Sequence, residues 1–301
     1  MAWTLGFANL SIAKEQQHPT SQLIILTQGR SGSTFVGELT SKIPGALYLY
    51  EPCRSLTMTI DENEVTKFSK VDEGACQAFV GRLLDCSITS GDAEKLFMDW
   101  VAITKCNIRA IVDLAPKRIT NEQKVHGYNA LCAKATIRVI KEIRLVTPGP
   151  ALLQRKETSI LHLVRDVRAV VNSRIRLEGF CLHKGAPGCA KPICDEMGAS
   201  FVGMQAYHKS PRYRLVRFED VCDAPATTAK AIFDWLGFPF DAAAKQWVDA
   251  STHAAKVGDF LMGSNILQML RLECIFFIVV TLRQSSHFFR CLLHICFDAV
   301  P

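Results

Sequence analysis

The run Leu23-Ile24-Ile25-Leu26-Thr27, followed at once by Gln28-Gly29-Arg30-Ser31-Gly32-Ser33-Thr34-Phe35, restricts what this chain can fold into. The apolar residues read as a buried strand and the Gly/Ser stretch as a tight turn. Phe35, Val36, Leu39 and Ile43 read as one face of a helix stopped at Pro44. The free N–H groups of a helix's first turn, and of the turn before it, point at one spot and carry partial positive charge there. Gly29 and Gly32 allow a sharp turn and close approach, Ser31, Ser33 and Thr34 add hydroxyls, and Arg30 adds a charged fork of donors. The layout predicts a cradle for an anion, and phosphate suits those donors.

A strand-turn-helix alone is weak evidence of this, because a Gly turn also serves purely steric needs in α/β proteins. A nucleotide kinase or ATPase is the nearest sharp alternative, but its loop needs four residues between the glycines and then Gly-Lys-Ser/Thr. Here Gly29 and Gly32 stand closer, and no Lys follows.

The stretch Gln28 to Phe35 resembles the 5'-phosphosulfate loop of sulfotransferases that use 3'-phosphoadenosine 5'-phosphosulfate (PAPS). With Tyr48-Leu49-Tyr50-Glu51-Pro52 it is similar to the carbohydrate 6-O-sulfotransferases of the Golgi, which sulfate galactose, N-acetylgalactosamine or N-acetylglucosamine in glycosaminoglycan and glycoprotein chains. The resemblance implies an α/β, three-layer P-loop-like fold with a central, mostly parallel sheet flanked by helices. It covers Leu23 to His253, which gives an N-terminal extension over 1–21, a sulfotransferase domain over 22–253 and a divergent C-terminal tail over 254–301.

A second signal lies in Ile160-Leu161-His162-Leu163-Val164-Arg165-Asp166-Val167-Arg168-Ala169-Val170-Val171-Asn172-Ser173. An apolar strand ends at Arg165, and a helix follows with Val167, Val170, Val171 and Ile175 at core spacing. A guanidinium at the strand end and a hydroxyl two turns into the helix can bond one phosphate. The spacing is similar to the 3'-phosphate site of PAPS sulfotransferases, although Val167 stands where the family pattern has Pro. His162, inside the apolar strand, reads as a satisfied core histidine.

Ala46 to Tyr50 reads as another strand, so Glu51 is expected at its carboxyl end, facing the same crevice as the loop. A general base and a surface carboxylate before Pro52 are both open readings there. Arg138 to Leu145 reads as a core strand with a basic edge, similar to the family's Lys-x-Ile-Arg-Leu element at Lys141, Ile143, Arg144 and Leu145. Lys141 and Arg144 either touch cofactor or glycan or are solvated flanks. Cys53 to Arg109 reads as mixed and helical, without a specific signal. Tyr213 to Asp220 reads as strand and turn, with Arg217, Glu219 and Asp220 joining it to an amphipathic helix over Ala226 to Leu236.

The chain's 301 residues suit one α/β domain, and its net charge of +6 fits an anionic cofactor and an anionic glycan without demanding them. Zinc-finger spacing, long Lys/Arg runs and aromatic RNA-binding motifs are absent, which argues against nucleic acid. No metal-ligand cluster is visible, and the reaction implied needs none. Of the twelve cysteines none forms a CxxC pair; Cys181, Cys189 and Cys194 fall in a Gly/Pro-bearing stretch read as a disulfide-stapled loop, with a helix expected from Glu196. Family members reach the Golgi lumen on an N-terminal membrane helix. Met1 to Ala13 is shorter than the roughly 20 residues such a helix needs, so membrane association would depend on an anchor this stretch does not provide. Asn9-Leu10-Ser11 is a glycosylation sequon if the chain is luminal.

The resemblance implies that Gly29, Arg30, Ser31, Gly32, Ser33, Thr34 and Phe35 bind the phosphosulfate and that Arg165 and Ser173 bind the 3'-phosphate. It implies catalytic roles for Arg30, on the developing charge, and for Glu51, on the acceptor proton. A PAPS- or glycan-binding member without catalysis is the alternative.

Overall fold

A strand with four consecutive apolar residues, Leu23 to Leu26, must be covered on both faces, and the computed structural model shows how this chain does it. The structure describes residues 21–60, 66–68, 71–106, 119–175 and 185–253. The expected extension before Ser21, the tail over 254–301, Cys181 and the Asn9 sequon lie outside them.

Five strands form the main sheet: β1 (Gln22–Thr27), β2 (Ala46–Tyr50), β5 (Ile137–Glu142), β6 (Thr158–Val164) and β7 (Tyr213–Arg217). Their spatial order is β2-β5-β1-β6-β7, and each adjoining pair is parallel. The short strands β3 (Met58–Ile60) and β4 (Thr66–Phe68) pair antiparallel in a separate ribbon.

Successive side chains of a strand point to opposite faces. On β1, Ile24 and Leu26 join Leu47, Leu49 and Ile140 in one core, while Leu23 and Ile25 join Tyr48, Val139 and Leu161 in another. The first core is covered by α2 (Glu73–Leu84), α3 (Ser90–Met98) and, beyond the short α4 (Trp100–Ile103), α5 (Asn121–Lys134), through Phe79, Leu83, Leu96 and Tyr128. The second is covered by α1 (Ser33–Thr40), which presents Phe35, Val36 and Leu39, and by two helices near the end of the described chain. Following the four-residue α6 (Pro150–Leu153), α7 (Val167–Arg174), α8 (Gly185–Met204) and α9 (Phe218–Asp223), these are α10 (Pro225–Leu236) and α11 (Ala242–His253). The result is the expected three-layer α/β architecture.

The chain leaves β1 toward β2 on one side and later places β6 on the other. The order reverses at β1, and in open α/β sheets the crevice outside the strands' carboxyl ends at such a point is where ligands bind. The loops after β1, β2, β5 and β6 all open there.

One local expectation is corrected. Cys189 and Cys194 lie on α8 and not in a loop, and both are disulfide-bonded. Cys189, Ala190, Ile193 and Cys194 recur at helical spacing and bury against Val170 and Val171 of α7, so packing overrides the Gly and Pro content. Two further disulfides join Cys53 to Cys76 and Cys86 to Cys132, tying the segment after β2 to α2 and the turn that follows α2 to α5.

Candidate active site

The loop after β1 turns through two left-handed residues, Arg30 (φ 76°) and Gly32 (φ 80°). A side chain at Gly32 would strike the Phe218 ring, 2.0 Å from the position its Cβ would take. Gly32 is the residue before α1 and gives the helix no side-chain cap. The Ser31 N–H donates to the Gln28 carbonyl at 3.2 Å and the Phe35 N–H to the Gly32 carbonyl at 3.1 Å. Ser31 itself is fully buried, and its Oγ has no hydrogen-bond partner among the described residues. An uncapped helix start beside an orphaned buried hydroxyl matches what an anion's oxygens supply.

Helix α7 meets this loop directly. Arg30 Nε donates to Ser173 Oγ at 2.8 Å, Arg165 donates to the Arg30 carbonyl at 3.0 Å, and Arg174 Nε donates to the Gly29 carbonyl at 3.1 Å. The Arg165 guanidinium lies 4.9 Å from the centre of the Phe218 ring, so the ring that requires glycine at position 32 also supports the arginine. Asp166 caps α7 by accepting the Arg168 N–H at 2.8 Å, while its own N–H donates to Glu219 at 2.8 Å. Glu219 thus fixes the start of α7 to the β7–α9 joint, in keeping with its expected structural role. Burial pushes the Arg174 guanidinium down, and its neighbour Arg30 adds to that, while Glu196 opposes it. The crowded cations make the loop favourable for an anion.

Glu51 follows β2 in a left-handed conformation (φ 44°, ψ 53°), with its N–H on the Lys141 carbonyl at 2.8 Å. It is buried, and its carboxylate is held by Lys141 on Oε1 and by Arg144 on Oε2, the latter at 2.8 Å. Burial works against the charge, but the two cations outweigh it and hold the carboxyl at about 2. Lys141 is itself only 2% exposed and lies 4.1 Å from the centre of the Tyr50 ring. The Tyr50 hydroxyl stands beside both Glu51 and Thr34 and so connects this cluster to the first turn of α1. Lys105 reaches the same hydroxyl at 3.3 Å.

The two sequence motifs therefore converge, with Gly29, Arg30, Arg165 and Ser173 in one hydrogen-bonded group and Glu51 on the neighbouring strand end. Phe35 turns its ring into the core, where it is buried and stacks on Trp247 at 5.1 Å, and its N–H is taken by the Gly32 carbonyl. Lys141 is no solvated flank: it lies on β5 between β2 and β1, where both faces are covered. Arg174 and Phe218 were not singled out in the sequence; Arg174, next to Ser173 at the end of a helix aimed at the loop, carried a signal, whereas Phe218 carried none. His162 is satisfied in the core, Nδ1 by the Tyr213 hydroxyl at 2.8 Å and Nε2 by Ser200 at 3.1 Å. Cys53, Cys76 and Glu142 approach one another, but both sulfurs are engaged in the disulfide.

Residues 20–257 match the family described as "Sulfotransferase domain". Carbohydrate sulfotransferase 5 of Mus musculus is 27% identical over 279 residues, covering 78% of this chain and 69% of that protein. Carbohydrate sulfotransferase 6 of Homo sapiens is 27% identical over 284 residues, with 78% and 69% covered. Among solved structures, the sulfotransferase domain from the curacin biosynthetic pathway aligns at a TM-score of 0.46 and 14% identity, over 85% of this chain and 97% of that one.

Proposed function

The chain belongs to the sulfotransferase-domain family, and from that premise we propose that it transfers a sulfuryl group from PAPS to a sugar hydroxyl, the 6-OH of galactose, N-acetylgalactosamine or N-acetylglucosamine in glycosaminoglycan or glycoprotein chains. The observation that carries this reading is the junction of the β1 loop and α7, where Arg30 Nε meets Ser173 Oγ at 2.8 Å and Arg165 meets the Arg30 carbonyl at 3.0 Å. Two elements able to hold separate phosphates share one crevice, and a carboxylate stands on the next strand end. The names of the carbohydrate-sulfating relatives support the choice of a sugar acceptor.

The residues present fit the donor. Arg30, the uncapped start of α1 and the orphaned Ser31 hydroxyl would hold the 5'-phosphosulfate, and Arg165 with Ser173 would hold the 3'-phosphate. Bound PAPS supplies the sulfuryl group and, after transfer, a phosphate leaving group. Arg30 would stabilise the charge that grows on that leaving group, and stabilising such charge is the larger part of this kind of catalysis. Glu51 would take the acceptor's proton. A carboxylate held at about 2 is a weak base. Arg144 is the partner with solvent access, 22% exposed against 2% for Lys141, so Oε2 is the oxygen that would receive the proton, with the Arg144 side chain yielding there while Lys141 keeps Oε1 oriented.

The same occupancy of both Glu51 oxygens favours a second reading, donor or glycan binding without turnover. Incubation with radiolabelled PAPS and oligosaccharides bearing galactose or hexosamine separates the two. In the catalytic reading the chain transfers label and Glu51→Gln lowers turnover by about 10² to 10⁴-fold, with affinity for the product adenosine 3',5'-bisphosphate kept. Unchanged turnover in Glu51→Gln would remove Glu51 from the chemistry, and donor binding without any transfer would establish the second reading.

The Golgi lumen is the proposed compartment, supported by the disulfides Cys53–Cys76 and Cys86–Cys132, which persist in oxidising surroundings. Among the described residues no helix is long and apolar enough to cross a membrane.

A further inference from the structure

The proposed reaction uses Glu51 and leaves unexplained a second carboxylate beside it. Glu142 ends β5 directly after Lys141 and is 0% exposed. Its Oε2 accepts the Cys53 N–H at 2.8 Å, and its Oε1 accepts the N–H groups of Ile143 at 2.9 Å and Arg144 at 3.0 Å. The Arg144 guanidinium lies 3.7 Å from Oε1. One buried carboxylate therefore grips backbone on two segments: two residues past Glu51, and at the residue whose guanidinium holds Glu51.

A left-handed conformation in a residue other than glycine costs energy and lasts only where its surroundings over-determine it. At Glu51 they do. Its N–H is fixed on the Lys141 carbonyl, its carbonyl accepts the Arg54 N–H at 2.9 Å, and Cys53 is tied both to Glu142 and, through the disulfide, to Cys76. Lys141 and Arg144 reach this turn through the Glu51 carboxylate, whereas Glu142 reaches its backbone, at the Cys53 N–H, and so ties the turn to the strand end that carries Arg144. Burial pushes the Glu142 carboxyl up and Glu51 adds to that, whereas Arg144 and the N–H groups of Cys53 and Arg144 favour the ionised form. The polar backbone groups it touches are all donors, so the position calls for an acceptor on both oxygens.

We propose that Glu142 is a positioning residue for sulfuryl transfer: it locks the left-handed turn at Glu51 and the Ile143–Arg144 strand end into one unit, so that the Glu51 carboxylate meets the acceptor in a single orientation. The inference rests on the role proposed for Glu51 and adds the means by which that role is held in place.

Glu142→Gln keeps the shape but sets an NH₂ group against an N–H donor. It should lower kcat by about 10- to 100-fold, as small misplacements of a reacting group do, while the acceptor KM and the affinity for adenosine 3',5'-bisphosphate stay within about two-fold. In a Glu51→Gln background the same change should add nothing, because its effect passes through Glu51. A wild-type kcat in Glu142→Gln, or an equal further drop in the Glu51→Gln background, would overturn the proposal. Amide hydrogen exchange on the unaltered chain tests it without turnover and without a variant that must fold. The Cys53 N–H should exchange as slowly as the sheet amides of Ile24 and Ile140, and exchange at the rate of an open loop would overturn the proposal. Full turnover by Glu51→Gln would contradict the role of Glu51 and leave the exchange result standing on its own.

Discussion

Acidification should weaken this fold through His162, which sits on β6 three residues before Arg165. Both ring nitrogens are engaged by Ser200 and Tyr213, the Phe201 ring packs at 5.3 Å, and burial pushes the imidazole from 6.5 down to about 4. The unfolded chain takes up a proton as pH falls through about 6.5, and the folded chain refuses it until about 4. Stability from this group is therefore full above the upper value and is lost progressively between the two. At about pH 5 the loss is about one and a half units at 1.36 kcal/mol each, or about 2 kcal/mol. Urea unfolding followed by circular dichroism at about pH 7.5 and about pH 5 measures it, with His162→Gln as the control that cannot take the proton. The native chain should lose about 2 kcal/mol more over that interval than the variant. Equal losses would refute the reasoning, because every other titrating group is common to both proteins.

Gly32→Ala places a Cβ at φ 80° and 2.0 Å from the Phe218 ring, so it should cost at least about 2 kcal/mol in urea unfolding and weaken adenosine 3',5'-bisphosphate binding in calorimetry. Lys141→Met leaves Glu51 buried with Arg144 alone; a loss of about 3 to 5 kcal/mol is expected by the same unfolding measurement, along with a rise in the Glu51 pKa. Replacing both Cys86 and Cys132 by Ala opens a link across 46 residues and should lower stability by about 4 kcal/mol, read as a fall in Tm under non-reducing conditions.

The local structure of the candidate site's two halves was legible because each is contiguous: strand, turn and helix start within Leu23 to Phe35, and strand end plus helix within Ile160 to Ser173. Contiguous segments of that kind carry their own periodicity and turn chemistry. That the halves meet, Arg30 on Ser173, depends on β1 and β6 being neighbours, which pairing alone decides. Lys141 and Arg144 read equally well as solvated flanks of a basic edge, and Glu142 carried no signal, because local pattern does not report whether a strand is central. On an inner strand of a parallel sheet both faces are covered, and charges there have to find partners. The disulfides were hidden for the same reason, since Cys53–Cys76 and Cys86–Cys132 join residues brought close only by the packing of α2. On α8 the Gly and Pro residues suggested a loop, and the burial of Ile193 and its neighbours against α7 prevailed.

The proposed site for a doubly phosphorylated adenosine donor joins the β1 loop to Arg165 and α7. Thermal unfolding of the purified chain with and without adenosine 3',5'-bisphosphate tests it most directly. At 100 times its dissociation constant the nucleotide should stabilise the fold by about 2.7 kcal/mol, and a folded Arg165→Ala protein should show no shift at that concentration. A folded native chain whose Tm does not move, or an Arg165→Ala protein that shifts as far as the native one, would contradict the account.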